Sequence, residues 1–289
     1  MEVNWRAALV TAIAPVAWGA TYFVTQHTLP ADSPIWGSAL RALPAGIVLL
    51  LVARARPHGS EWARTAVLGV LNVGGFFLLL YIAAQLLPTS VASSIMAASP
   101  LVLAAFAWAL LGQRPAARVL AGAAIGILGV LLLVAGGIGA IDGLGVAASA
   151  TGLVSSSLGY VLTRRWGDTA KPVMASAWQL LFGGGMLLLV ALIVEGAPPA
   201  FDGTGWAGLA FVTLIGTATA NVAWFHGLQH LSAGVVGVIG LLNPVTGVLL
   251  GVLAGGESLA APQLLGILLV LGGILLGQLP ARRMRMRLS

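Results

Sequence analysis

Residues 89–113 read TSVASSIMAASPLVLAAFAWALLGQ, and residues 233–257, 144 positions later, read AGVVGVIGLLNPVTGVLLGVLAGGE. Neither stretch carries a charge before its last residue, and each is long enough to cross a hydrocarbon core of roughly 30 Å, which takes about 20 apolar residues. Each has a proline near its middle, Pro100 or Pro244, and closes on glycine followed by an amide or an acid, Gly112-Gln113 or Gly256-Glu257. Self-similarity at a fixed offset marks an internal duplication. The match extends outward. At the same offset Tyr81 and Gln85 fall on Phe225 and Gln229, and nearer the start of each copy an offset of 138 aligns Tyr22, Thr25 and Arg41 with Tyr160, Thr163 and Gln179. The chain is expected to hold two copies, residues 1–138 and 139–289.

Composition says which solvent surrounds them. The 289 residues are 59% hydrophobic and 8% charged, with a mean hydropathy of +1.01, whereas a soluble domain carries about 25% charge. So few charges cannot coat a core of this size against water. Ten segments are long and apolar enough to span, near 5–26, 34–53, 63–86, 89–112, 116–136, 143–166, 172–194, 205–228, 232–254 and 261–279. The first lacks a small-residue cleavage site and reads as a retained helix rather than a signal peptide. Five spans per copy is an odd number, so the two copies must run in opposite directions.

The charges divide between alternate loops. Thirteen of the fourteen basic residues fall on one set: Arg6, then Arg54, Arg56 and Arg64, then Arg114 and Arg118, then Arg164, Arg165 and Lys171, then Arg282, Arg283, Arg285 and Arg287. The other set has no base and holds Asp32, Asp142, Glu195, Asp202 and Glu257. Cytoplasmic loops are enriched in Lys and Arg, so both termini are expected in the cytoplasm. The basic tail suits anionic membrane lipid. Bases spread between apolar runs do not form the clustered footprint of a nucleic-acid binder. The chain has no cysteine, which excludes disulfides and thiolate chemistry.

Taken in order, Ala17-Trp18-Gly19, Arg41, Pro100 followed by Gly112-Gln113, and Pro244 followed by Gly256-Glu257 resemble the drug/metabolite transporter superfamily. The resemblance covers essentially the whole chain and is to the ten-helix EamA-type exporters, with the closest look to the aromatic amino acid exporter type. The family pattern has Gly-Glu after both prolines. Here the first copy has Gly-Gln, so only the second supplies an acid. The resemblance implies an all-α integral membrane fold of ten transmembrane helices, arranged as two inverted five-helix repeats in a bacterial inner membrane. It also implies export of small metabolites, often amino acids, by alternating access, with no cofactor.

Residues inside the spans supply the candidate site. Pro100 and Pro244 each remove an amide donor in mid-span, where repeat transporters place their substrates. Polar and aromatic residues gather around them: Trp18 and Tyr22 four apart in the first span, Asn72 and Tyr81 in the third, and Met96 and Ser99, with Ser94, before Pro100. The later spans add Ser156 and Tyr160 in the sixth, Asn221 and Trp224, with Thr217, in the eighth, and Asn243 before Pro244. Trp5, Trp36, Trp62, Trp166 and Trp206 suit an interfacial belt. Arg41 reads either as a carboxylate anchor or gate, or as a side chain that snorkels or bonds a neighbouring helix end.

His226 and His230 have the spacing of a two-histidine metal site but no third ligand, so no metal is expected. No carboxylate lies in a span core, which points to gradient-driven passage, with His226 the one candidate proton carrier. A proton-coupled multidrug or hydrophobic-cation exporter is the alternative within transport, and a non-transporting scaffold is the alternative outside it. An intramembrane enzyme would need a nucleophile or metal cluster at depth, and none is present. Glycine pairs such as Gly122/Gly126 and Gly273/Gly277 permit close helix packing, internal or between copies, and the oligomeric state is left open.

Overall fold

The computed structural model describes residues 4–135, 141–166 and 171–278. Among them every regular element is helical, and the basic tail from Arg282 lies outside them. Ten helical passes follow one another: α1 Trp5–Thr28, α2 Pro34–Ala53, α3 Glu61–Leu86, α4 beginning at Thr89, α5 Ala117–Ala135, α6 Gly143–Arg165, α7 Pro172–Val194, α8 Gly203–His230, α9 beginning at Ala233, and α10 Ala261–Gln278. Nine of them are long and apolar enough to cross a membrane, and α10 is an apolar helix just short of that length. In hydrocarbon a helix satisfies its own backbone, which is why apolar runs with few charges take this form.

Four passes are irregular. α4 is two segments, Thr89–Met96 (α4a) and Ser99–Leu111 (α4b), and α9 is likewise Ala233–Gly240 (α9a) and Leu242–Leu253 (α9b). The prolines do not interrupt a continuous helix, as the sequence suggests. The breaks fall before them, with Pro100 and Pro244 in the first turn of the second segment, where the missing amide has no intrahelical partner to lose. α3 and α8 each contain a π-helical stretch, Val70–Gly75 and Phe211–Thr219. Such stretches displace backbone carbonyls from their usual partners and recur at functional sites.

Helices pair as α5 with α10, α2 with α7, α1 with α8, and α3 with α6, while α9b lies against both α1 and α4a. Lipid tails are as apolar as leucine, so small residues decide these contacts. A Cβ on Gly122 would strike the Gly273 carbonyl, and one on Gly129 would come 2.6 Å from the Gly266 carbonyl. The glycine pairs of α5 and α10 thus serve internal packing.

Candidate functional site

α1 crosses α9b at Gly19, where any side chain would collide with the Asn243 carbonyl. That contact brings Trp18 to the break in α9. Its ring meets Trp224 of α8 with centroids 5.3 Å apart and planes tilted by 57°, backed by Ala14, Ala17, Ala220 and Ala223. Asn243 stands at the same break, with its Oδ1 buried and without a hydrogen-bond partner. Trp18, Trp224 and Asn243 therefore form one group. Asn221 turns away and donates to the Thr217 carbonyl of its own helix at 2.8 Å.

A second group lies at the break in α4. Tyr22 and Met96 pack with Phe76, Leu80, Ala148, Ser149 and Gly152 and leave no room for a water molecule. The Ser149 hydroxyl is buried there and unpartnered. Sequence reasoning missed it, although it lies seven residues before Ser156 on the same face of α6. Ser99 is half-buried at the start of α4b. The Ser156 hydroxyl donates to the Leu153 carbonyl at 3.3 Å, and Tyr160, one turn on, is 55% exposed. Tyr81 stands apart from both groups: its hydroxyl donates to the Pro30 carbonyl at 2.7 Å and its ring covers Gly37.

The two π stretches hold matching polar pairs. In α8 the stretch presents the Thr217 hydroxyl and the Gly216 carbonyl to Arg41 of α2, with Nε to Thr217 Oγ1 at 2.9 Å and Nη2 to Gly216 O at 3.4 Å. The guanidinium also lies 4.2 Å from the centre of the Phe77 ring. Arg41 is 6% exposed, so it neither snorkels nor reaches a headgroup. In α3 the stretch presents Asn72, whose Nδ2 donates to Gln179 Oε1 of α7 at 3.0 Å while its own Oδ1 is unpartnered.

At the face of the molecule carrying the acidic loops, two carboxylates tie helix starts to segments distant in sequence. Glu257, after α9b, accepts from the Thr89 and Ser90 amides that open α4a. Glu195, after α7, accepts from the Ile35 and Trp36 amides that open α2, both at 2.8 Å. Free amides at a helix start favour negative charge, which explains both placements. Trp36, expected in the interfacial belt, is buried and donates to the Gly196 carbonyl beside this cap. The indole therefore anchors a loop, whereas Trp5, Trp62 and Trp206 are exposed as a belt requires. Toward the opposite face the two broken helices take different neighbours. There α4b packs on α6 and α5, and α9a on α1, α8 and α10. Gln113, the counterpart of Glu257, is exposed, and Ser232 before α9a makes no side-chain cap.

His226 and His230 stack with ring centres 4.1 Å apart, and among the described residues no three metal-ligating side chains come together.

Comparison with known proteins agrees with this architecture. The profile of the EamA-like transporter family matches twice, over residues 5–135 and 143–277. The chain is 36% identical to Protein PecM of Dickeya dadantii (strain 3937), over 92% of its own length and 90% of that protein. It is 27% identical to the uncharacterized inner membrane transporter YedA of Escherichia coli (strain K12), over 90% of this chain and 87% of that one. The uncharacterized transporter YvbV of Bacillus subtilis (strain 168) is 26% identical over 94% and 91% of the respective chains. A solved crystal structure shares the fold with a TM-score of 0.71, at 22% identity over 97% of this chain and all of that one. With a double match that spans nearly its whole length, this chain belongs to the EamA-like transporter family of multi-pass membrane transporters, which carry small molecules.

Proposed function

We propose that this protein is an alternating-access exporter of small metabolites, most of all amino acids, resident in a bacterial inner membrane with both termini in the cytoplasm. Residues 1–138 and 139–289 act as two inverted five-helix repeats. The observation that carries this reading is the lopsided relation of α4 and α9. They are locked together by Glu257 at the acidic face and take separate neighbours toward the basic face. A carrier with inverted repeats reaches its second state by exchanging which end is locked.

Two further observations support the inversion. Arg41 of the first copy reaches the π stretch of the second, and Gln179 of the second reaches the π stretch of the first. The basic residues crowd one set of loops, as cytoplasmic loops do. The substrate reading rests on the walls near the two breaks: Trp18, Tyr22 and Trp224 give rigid apolar surface, and Asn243 and Ser149 give unpaired polar atoms. Such a lining suits a solute with an apolar side chain and a polar backbone.

Counterflow in liposomes tests the proposal. Purified protein should exchange labelled phenylalanine, methionine or threonine against unlabelled amino acid, saturably and without a pH gradient. Trp18→Ala and Asn243→Ala should slow the exchange. Movement of a lipophilic cation alone, and only with a proton gradient, would replace the amino-acid reading with the multidrug one.

A further inference from the structure

Arg41 holds a positive charge inside the protein that no acid among the described residues neutralises. The sequence has eight acids, and the six among the described residues are all engaged at helix ends. Asp32 accepts from Ser33, Glu61 from the His58 amide, Asp142 and Asp202 from the first turns of α6 and α8, and Glu195 and Glu257 from the starts of α2 and α4. Among the described residues Arg41 has only neutral partners, Thr217, Gly216 and the Phe77 ring. A guanidinium has five donors in a fixed fork. Those on Nη1 have no acceptor among the described residues, and Nη1 is not among the sealed, unpartnered atoms.

A buried charge without a counter-charge is costly, and within a membrane it marks a ligand path. Here the cost is met by a built cradle. The π stretch of α8 supplies a hydroxyl and a carbonyl that fix the guanidinium plane, and the Phe77 ring fixes its distance from α3. Phe76 joins this cradle to the group at the α4 break. Its ring centre lies 5.9 Å from that of Phe77, and it packs with Tyr22 in the group that contains the unpartnered Ser149 hydroxyl. The matching position in the second copy, Gln179, is uncharged and already paired with Asn72. Only one of the two otherwise similar sites can take an anion.

We infer that Arg41 is the anchor for a carboxylate on the transported solute, received from the side of Tyr22 and Ser149, and that this single site orients the solute between the copies. The inference rests on the transport reading and sharpens it: the solute carries a carboxylate, and its amide is discriminated against.

The test pairs a binding readout with a transport readout. Purified protein is melted, followed by tryptophan fluorescence, with phenylacetate or phenylacetamide. Phenylacetate should stabilise the wild type and phenylacetamide should not, and Arg41→Gln should abolish the difference while Gln179→Ala retains it. Arg41→Lys, which keeps the charge without the planar fork, serves if Arg41→Gln fails to fold, and it should weaken phenylacetate binding without erasing the preference over the amide. In counterflow, Arg41→Gln should cut exchange of phenylalanine roughly 10- to 100-fold, the loss expected for one charge-assisted hydrogen bond, and should leave phenylalaninamide exchange unchanged. Equal stabilisation of the wild type by acid and amide, or equal loss of both by Arg41→Gln, would make Arg41 a strut between α2 and α8 and overturn the inference. Carboxylate-specific stabilisation without amino-acid exchange would support the anchor and remove the amino-acid reading alone.

Discussion

At Gly19 one missing side chain sets the geometry of the α9 break. The Asn243 carbonyl and Thr246 occupy the place a Cβ would take, so the approach of α1 to α9b depends on glycine. Gly19→Ala should lower stability by about 1–3 kcal/mol, the usual cost of overpacking a tight contact. It should also part Trp18 from Trp224. Thermal melting followed by tryptophan fluorescence reads both effects, and an unchanged melt would show that α1 can shift without loss. Alanine at Gly185, which meets nothing within 4 Å, should be neutral. That contrast was hidden in the sequence, where both are glycines in apolar runs. What separates them is the neighbour each one faces.

The broken helices α4 and α9 act as elements through their ends. α4a begins after Pro88 with its first amides unpaired within the helix, and Glu257, far away in sequence, answers them. Glu257→Ala should remove the tie at the acidic face. Because the chain has no cysteine, a single Ser90→Cys probe reports the change cleanly. Ser90 is fully buried, so a membrane-impermeant thiol reagent should label it slowly in the parent and several-fold faster with Glu257→Ala. Equal labelling would mean that packing of Gly247 on Ser93, rather than the carboxylate, holds this end. A different weakness lies in the α5–α10 pair. Gly129→Leu would drive a side chain into the Gly266 carbonyl and the Val270 backbone, and should cost more stability than the same change at the open Gly272. Thermal melting of the two variants decides it.

The whole molecule sets sidedness and closure. If the basic loops are cytoplasmic, cysteine placed at Arg56 should be labelled only after the membrane is made permeable, and cysteine at Ala200 should be labelled in intact cells. Both positions are exposed in loops at opposite faces. The reverse pattern would turn the carrier over and invert the reading of export. It would leave the geometry of the two helix breaks untouched.

Apolar length alone led to the expectation of about ten apolar helices, and the structure has them, nine of the described ones long enough to cross a membrane. The offset between proline spans and the sorting of basic residues led to the expectation of a duplicated, inverted design. These are properties of segments, and hydrocarbon thickness acts on each segment separately. The family, too, was legible in an ordered set of short motifs, and the double profile match bears it out. Only the tertiary structure decided which helix faces meet. It placed Tyr22 and Met96 in a closed cluster, left Tyr160 exposed, and put Tyr81 to work on a loop. It buried Trp36 under a carboxylate cap. It bonded Arg41 to a π stretch that no residue pattern announces, because such a stretch depends on how neighbouring helices load the backbone. Spacing four apart puts two residues on one face of a helix, but it does not say whether that face looks at lipid, at a partner helix or at a solute.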